Sequence, residues 1–156
     1  MSDYKHHASN WQIDAQQLIA DGQWEEVLAL WVQQTTTRTL GLWLIGCLRD
    51  IGQDTSGQLL DEMQRWYAEP NEKLRWQIFH RAELHGFDTL AGALALSLFW
   101  SQGSMSPEGL EPVYPEPRLS AQMLHCVLLM LASLHTDNPA DGTRYLLTQW
   151  INQENA

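Results

Sequence analysis

The sequence predicts an all-α protein: a single compact domain of about seven helices, with a long proline-rich loop between two central apolar helices. Apolar residues recur at helical spacing along most of the chain, and no segment alternates with the period of two typical of a strand. Four of the six prolines lie within residues 100–118. With 156 residues, 44% hydrophobic and 18% charged, the chain can bury one sizeable core. We predict a flexible tail over 1–8 and one helical domain over 9–156.

Glycine and threonine divide the first half of the chain into helices. Gly22 and Gly52 follow two apolar-periodic segments and are typical helix-ending residues. A threonine within 35–37 can cap the third helix. In QWEEVLALWVQQ, apolar residues fall at i, i+3, i+4 and i+7, which indicates one buried face. These signals predict helical segments at 11–20, 23–34, 37–51 and 57–68.

Proline and aspartate mark the starts of the next helices. Pro70 suits the first turn of a fifth segment, which Gly86 ends. Asp88 is predicted to cap the sixth, DTLAGALALSLFW. That segment and LSAQMLHCVLLMLASL after the loop are apolar on almost every face, so we expect both to be central. The final segment, NPADGTRYLLTQWINQ, is capped by Asn138 or Asp137.

Charge and composition narrow the classes of function. The formal net charge of −10 disfavours binding to nucleic-acid phosphates or to an anionic membrane. The N-terminus has no apolar segment of the signal-peptide kind, and apolar runs are about half the length of a membrane span. Cys47 and Cys126 lie in apolar helical patterns and are predicted to be small buried core residues. We therefore predict a cytoplasmic protein that binds neither nucleic acid nor membrane.

The sequence contains no recognisable catalytic or metal-binding motif. The six histidines lack ligand spacing, and nucleophile-elbow and phosphate-loop patterns are missing. The acidic pairs Glu25-Glu26 and Asp61-Glu62 lie near predicted helix starts, where carboxylates favour the helix dipole. We expect no catalytic residues, no cofactor and no metal.

The stretch WSQGSMSPEGLEPVYPEPR cannot be helical. Proline fixes φ and pushes the preceding residue towards extended geometry, so EPVYPEP is expected to be a semi-rigid, polyproline-like segment. Two interpretations stay open: a strap whose apolar side chains pack inward, or a preformed ledge for a protein partner, with Tyr114 exposed. The candidate interaction residues are Trp100, Ser104, Met105, Pro107, Glu111, Pro112, Tyr114, Pro115, Glu116 and Pro117.

Several sequence marks carry a family resemblance over about residues 65–132. These are Trp66 with Pro70, then Gly86 with Thr89 and Gly92, and above all the segment FWSQGSMSP. The region resembles a bacterial domain-of-unknown-function family of small helical proteins, whose members are often encoded near type VI secretion genes. The resemblance implies an accessory role in such a cluster and implies no catalytic residue.

The expected function is therefore a non-catalytic protein-interaction module, such as an adaptor, a chaperone-like protein or an accessory protein of a type VI secretion cluster. Two alternatives stay open: an immunity protein against a toxin, which an acidic surface suits, and an enzyme with an unrecognised site. Buried titratable residues beside a deep pocket would favour the enzyme. An apolar patch beside the loop would favour the module.

Overall fold

The computed structural model describes residues 10–52 and 56–154, and these ranges contain eight α-helices and no strand. The predicted count of about seven helices is one too low, because each of the eight segments with helical periodicity forms its own helix. The predicted tail, 1–8, lies outside the described residues. The helices are α1 Asn10–Ala20, α2 Trp24–Gln34, α3 Thr37–Ile51, α4 Gly57–Ala68, α5 Glu72–His85, α6 Leu90–Ser101, α7 Leu119–His135 and α8 Pro139–Glu154.

Several helix ends form as the sequence predicts. The Thr36 hydroxyl accepts a hydrogen bond from the Thr39 amide at 3.0 Å and caps α3. The Asn138 side-chain oxygen accepts one from the Ala140 amide at 2.9 Å at the start of α8. Gly52, with a φ of 77°, ends α3 in the left-handed region that glycine adopts at low cost.

Two predicted helix starts are wrong by one residue or more. Thr89, not Asp88, caps α6, because the residue directly before the first helical residue has the extended backbone that aims its hydroxyl at the Gly92 amide, 3.0 Å away. Pro70 precedes the fifth helix instead of opening it. Asn71 is the cap there, and its side-chain oxygen accepts from the Leu74 amide at 2.8 Å.

Contacts between residues group the chain into two compact units. The terminal unit combines Met1–Gln34 with Leu128–Ala156, and the central unit is Thr35–Val127. Helix α7 contributes residues to each. The single helical domain over 9–156 stays a prediction.

Tryptophan rings form the core of the terminal unit. Trp31 on α2 is fully buried, and its ring centroid lies 6.4 Å from that of Trp11 and 5.7 Å, edge-on, from that of Trp150. A Cβ on Gly142 of α8 would lie only 1.9 Å from the Ala132 carbonyl oxygen of α7. Glycine therefore allows these two helices to touch backbone to backbone.

Helix α6 is the core of the central unit. Every residue from Ala91 to Phe99 is buried, and the helix contacts α3, α4 and α5. The Ser120 hydroxyl donates to the Ser97 carbonyl at 2.6 Å and so joins the start of α7 to α6. Because α6 is surrounded by other helices, an almost uniformly apolar sequence is what it requires.

Helix α7 is less central than its sequence predicts. It buries the face that carries Leu124, Val127, Leu128 and Leu131, while Leu129 and Leu134 are exposed. The predicted burial of the two cysteines is also wrong: Cys126 is exposed and Cys47 is half-buried. An apolar run predicts a buried helix only if partners cover all of its faces, and α7 is covered on one side.

Candidate functional site

The buried guanidinium of Arg75, on α5, holds the start of the proline-rich loop. Its side chain is only 1% exposed. Nε and Nη2 donate to the Phe99 carbonyl at 3.1 and 2.8 Å, and Nη2 also donates to the Ser104 carbonyl at 2.9 Å. The guanidinium thereby satisfies two carbonyls where α6 ends and the loop begins. This role is not evident from the sequence, because one arginine in an amphipathic helix carries no signal of burial.

The charge of Arg75 is balanced within its own helix. Nη1 donates to a carboxylate oxygen of Glu72 at 2.7 Å, and the Phe99 ring lies 3.9 Å from Cζ. Burial lowers the pKa of the Arg75 guanidinium, while Glu72 raises it. An arginine starts so far above neutrality that it stays protonated. The Arg75 guanidinium, which anchors the loop, is therefore a permanent cation that is paired with a carboxylate and stacked on an aromatic ring.

Gly103 is required at this site for two reasons. Its φ of 89° lies in the left-handed region, and a Cβ there would lie 2.8 Å from Arg75 Cζ. The FWSQGSMSP segment thus supplies the carbonyl and ring of Phe99, a glycine that leaves room for the guanidinium, and the Ser104 carbonyl. The most distinctive segment of the sequence, FWSQGSMSP, therefore forms the binding site for the Arg75 side chain.

Hydrogen bonds join the first part of the loop, residues 104–106, to the proline-rich part around Val113. The Ser104 hydroxyl accepts from the Ser106 and Val113 amides, both at 2.9 Å. The Met105 amide donates to the Val113 carbonyl at 2.7 Å. Arg75 binds the Ser104 carbonyl, and the Ser104 hydroxyl binds the Val113 amide. The hydrogen bonds that begin at Arg75 therefore also fix the proline-rich part of the loop.

The apolar side chains of the loop face solvent. Tyr114 is 69% exposed, Leu110 is 64% exposed, and Met105 and Val113 are also exposed. The strap interpretation requires these four side chains to pack inward. Their exposure contradicts that part of the interpretation. The loop is held instead by polar contacts to its backbone.

Part of the predicted interaction set surrounds one open pocket of about 280 Å³. Trp100, Tyr114, Pro115 and Pro117 line it, together with Thr37 and Gln102 among others. Ser104 and Met105 lie at the hydrogen-bonded junction of the two parts of the loop. The remaining members are exposed on the loop and do not line the pocket: Pro107, Glu111, Pro112 and Glu116.

A second open pocket, of about 540 Å³, is lined by polar side chains of α4 and by Gln77 of α5. Its carboxylates are paired: the buried Glu62 binds Arg81, and Asp61 lies 2.8 Å from Arg49. Neither acid lies in the first turn of α4, so the helix-dipole explanation is wrong for this pair. It holds for Glu25 and Glu26, which lie in the first turn of α2.

Other chemistry is sparse in the described part of the chain. No three His, Cys, Asp or Glu side chains there come together as a metal-binding group. Burial raises the pKa of the Cys47 thiol to about 12, which suppresses the reactive thiolate. In the same residues, no single helix is long and apolar enough to cross a membrane, and α7 with α8 reaches that length and composition only as a bent pair.

Comparison with known proteins places most of the chain in one family. Residues 15–152 match a family of unknown function, DUF6931, and the chain belongs to this family. The match extends well beyond residues 65–132, which carry the resemblance in the sequence. No curated protein and no solved structure matches the chain.

Proposed function

We propose that this protein is a non-catalytic protein-interaction module whose contact surface is the proline-rich loop with its flanks. One observation carries the proposal: exposed apolar side chains, Tyr114 foremost, stand on a loop that a buried arginine holds in place. A preorganised surface loses little entropy on binding, and an exposed tyrosine is the kind of anchor that interfaces favour.

Charge supports a basic protein partner. Glu108, Glu111 and Glu116 are exposed along the loop, and the chain has a net charge of −10. Such a surface speeds encounter with a basic partner and disfavours acidic ones. An immunity protein that covers a basic toxin would use the same surface. It would differ from an adaptor or accessory protein only in the identity of its partner.

The enzyme alternative has less support. The pocket of about 540 Å³ contains carboxylates, but Glu62 and Asp61 are both engaged by arginines. A general acid or base needs a carboxylate that is free to exchange a proton with substrate. The exposed apolar loop has no role in such a site.

The cellular setting is proposed on narrower grounds. We place the protein in the bacterial cytoplasm, as an adaptor, chaperone-like or accessory protein of a type VI secretion cluster. The resemblance of the FWSQGSMSP segment to a family often encoded in such clusters supports this setting.

The test compares capture of the native partner by wild type and by a triple variant, Tyr114→Ala with Glu111→Lys and Glu116→Lys. A matched control combines Tyr145→Ala with Asp14→Lys and Glu83→Lys. It removes another exposed tyrosine and makes the same change in charge at exposed positions of α1, α5 and α8. Capture is followed by mass spectrometry, and the melting temperature is measured for all three proteins.

We expect the loop variant to lose at least about tenfold in capture, as two or more interface contacts would require. The control variant should capture as wild type does, and all three proteins should melt alike. Equal losses in the two variants would indicate a dependence on charge alone and would contradict the loop as the contact surface.

A further inference from the structure

We infer that the pocket between Trp100 and Tyr114 receives an arginine side chain from a basic segment of the partner. This inference rests on the proposed function and adds to it the chemistry of the anchoring residue. It requires a pocket of suitable size, a surplus of negative charge on the adjoining loop, and a lining that contains no cation.

The lining suits a planar cation on a long apolar stem. The pocket of about 280 Å³ is flanked by the rings of Trp100, Tyr114, Pro115 and Pro117, and every residue that lines it is uncharged. Aromatic faces attract a guanidinium, and arginine stacks on them better than lysine does because its head is flat and weakly hydrated. The same pairing already exists inside this protein, where Arg75 lies over the Phe99 ring.

Polar side chains in the pocket lining can receive the donors of a guanidinium. Thr37 and Gln102 are among the lining residues, and both carry a side-chain oxygen that accepts hydrogen bonds. A purely apolar side chain would displace water from the Thr37 and Gln102 oxygens and offer them no hydrogen bond in return. The mixed lining therefore favours arginine over leucine or phenylalanine.

The loop beside the pocket carries unneutralised negative charge. Glu108 and Glu111 have no ion pair among the described residues, and both are exposed. A segment that places one arginine in the pocket can pair its neighbouring basic residues with these acids. Exposed pairs of this kind add little affinity each, but they speed association and orient the segment.

Three arginines adjoin residues that line the pocket, and each is engaged by another group. Arg118 lies 3.1 Å from a Glu116 carboxylate oxygen. Arg38 Nε donates to the Tyr67 carbonyl at 3.4 Å, and Arg75 lies behind Gly103, bound to Glu72 and two carbonyls. Arg118 and Arg75 are thus paired with carboxylates, whereas Arg38 keeps its charge and its Nε is directed at a carbonyl.

The inference is tested on the full chain with three blocked heptapeptides of glycine alternating with arginine, lysine or citrulline. Citrulline keeps the shape of arginine and removes the charge. Binding is followed by the NMR signal of the Trp100 indole N–H, which the Trp100→Phe variant assigns. We expect the arginine peptide to shift this signal and to bind about fivefold more tightly than the lysine peptide. The citrulline peptide should not bind detectably.

Tyr114→Ala should weaken binding of the arginine peptide about fivefold, whereas Tyr145→Ala, which alters an exposed tyrosine of α8, should not. Equal binding of arginine and lysine peptides, unchanged by Tyr114→Ala, would overturn the inference and show charge attraction alone. If no peptide binds while the loop variant still loses its native partner, the arginine inference fails and the proposed function stands. If the loop variant also retains its partner, both fail.

Discussion

The core of the terminal unit and the loop of the central unit are held by opposite kinds of interaction. In the terminal unit, Trp31 is enclosed by two other tryptophan rings, and Gly142 lets α8 touch the backbone of α7. In the loop, apolar side chains face water, and one buried guanidinium fixes the backbone. The first arrangement spreads its stabilisation over a large apolar area. The second depends on a few hydrogen bonds from one side chain.

Because of this difference, the stability of the fold does not depend on the side chains that the loop exposes to a partner. Burying apolar area contributes to the free energy of folding in proportion to that area. A polar anchor contributes little net free energy but fixes geometry, because carbonyls left unpaired on burial are costly. The loop can therefore keep its apolar side chains available for a partner without depending on them for its own shape.

The largest expected effect is on the tryptophan core. Trp31→Ala should lower the free energy of unfolding by about 4 kcal/mol, since a fully buried indole leaves a cavity that its neighbours cannot fill. Urea denaturation followed by circular dichroism measures the change. A loss below about 1 kcal/mol would mean that the ring cluster is not what stabilises this core.

A smaller loss is expected from Gly142→Ala, about 3 kcal/mol. The new Cβ would lie 1.9 Å from the Ala132 carbonyl oxygen, so the two helices must separate. Gly46→Ala in α3 is the matched control, because no atom lies within 4 Å of a Cβ there and alanine favours a helix. The control should be neutral or stabilising, and a similar loss in both variants would contradict the close helix contact.

Arg75→Met should cost about 2 kcal/mol and change the loop more than the helices. Methionine fills much of the volume but leaves the Phe99 and Ser104 carbonyls without their donor. We expect limited proteolysis to cut within 102–118 at least about tenfold faster, with unchanged helical circular dichroism. Arg75→Lys should restore little, since an ammonium cannot reproduce the fork of donors. Loop cleavage at the wild-type rate in both variants would show that Arg75 is not the anchor.

The smallest expected effect is that of Tyr114→Ala on stability. The ring is 69% exposed, so the free energy of unfolding should change by no more than about 0.5 kcal/mol. The same variant is expected to impair binding, and this combination distinguishes a contact residue from a structural one. A loss of 2 kcal/mol by denaturation would instead return Tyr114 to the strap interpretation.

The sequence by itself determined the helices and most of their ends. Spacing of apolar residues, Thr36 and Asn138 as caps and Gly52 as an end are signals that act over three or four residues. At the start of α6 the sequence predicted Asp88 as the cap, whereas Thr89 caps the helix in the structure. The loop was predicted from its prolines, because proline restricts the backbone locally.

Only the tertiary structure decided which faces are covered and what holds the loop. Arg75 meets Phe99 and Ser104 from 24 and 29 residues away, and nothing in its local sequence distinguishes it from a solvated arginine. The exposed side of α7 and the pocket between Trp100 and Tyr114 likewise depend on which elements pack together. Helix signals are local and can be read from the chain, whereas burial and partner choice are set by contacts between distant segments.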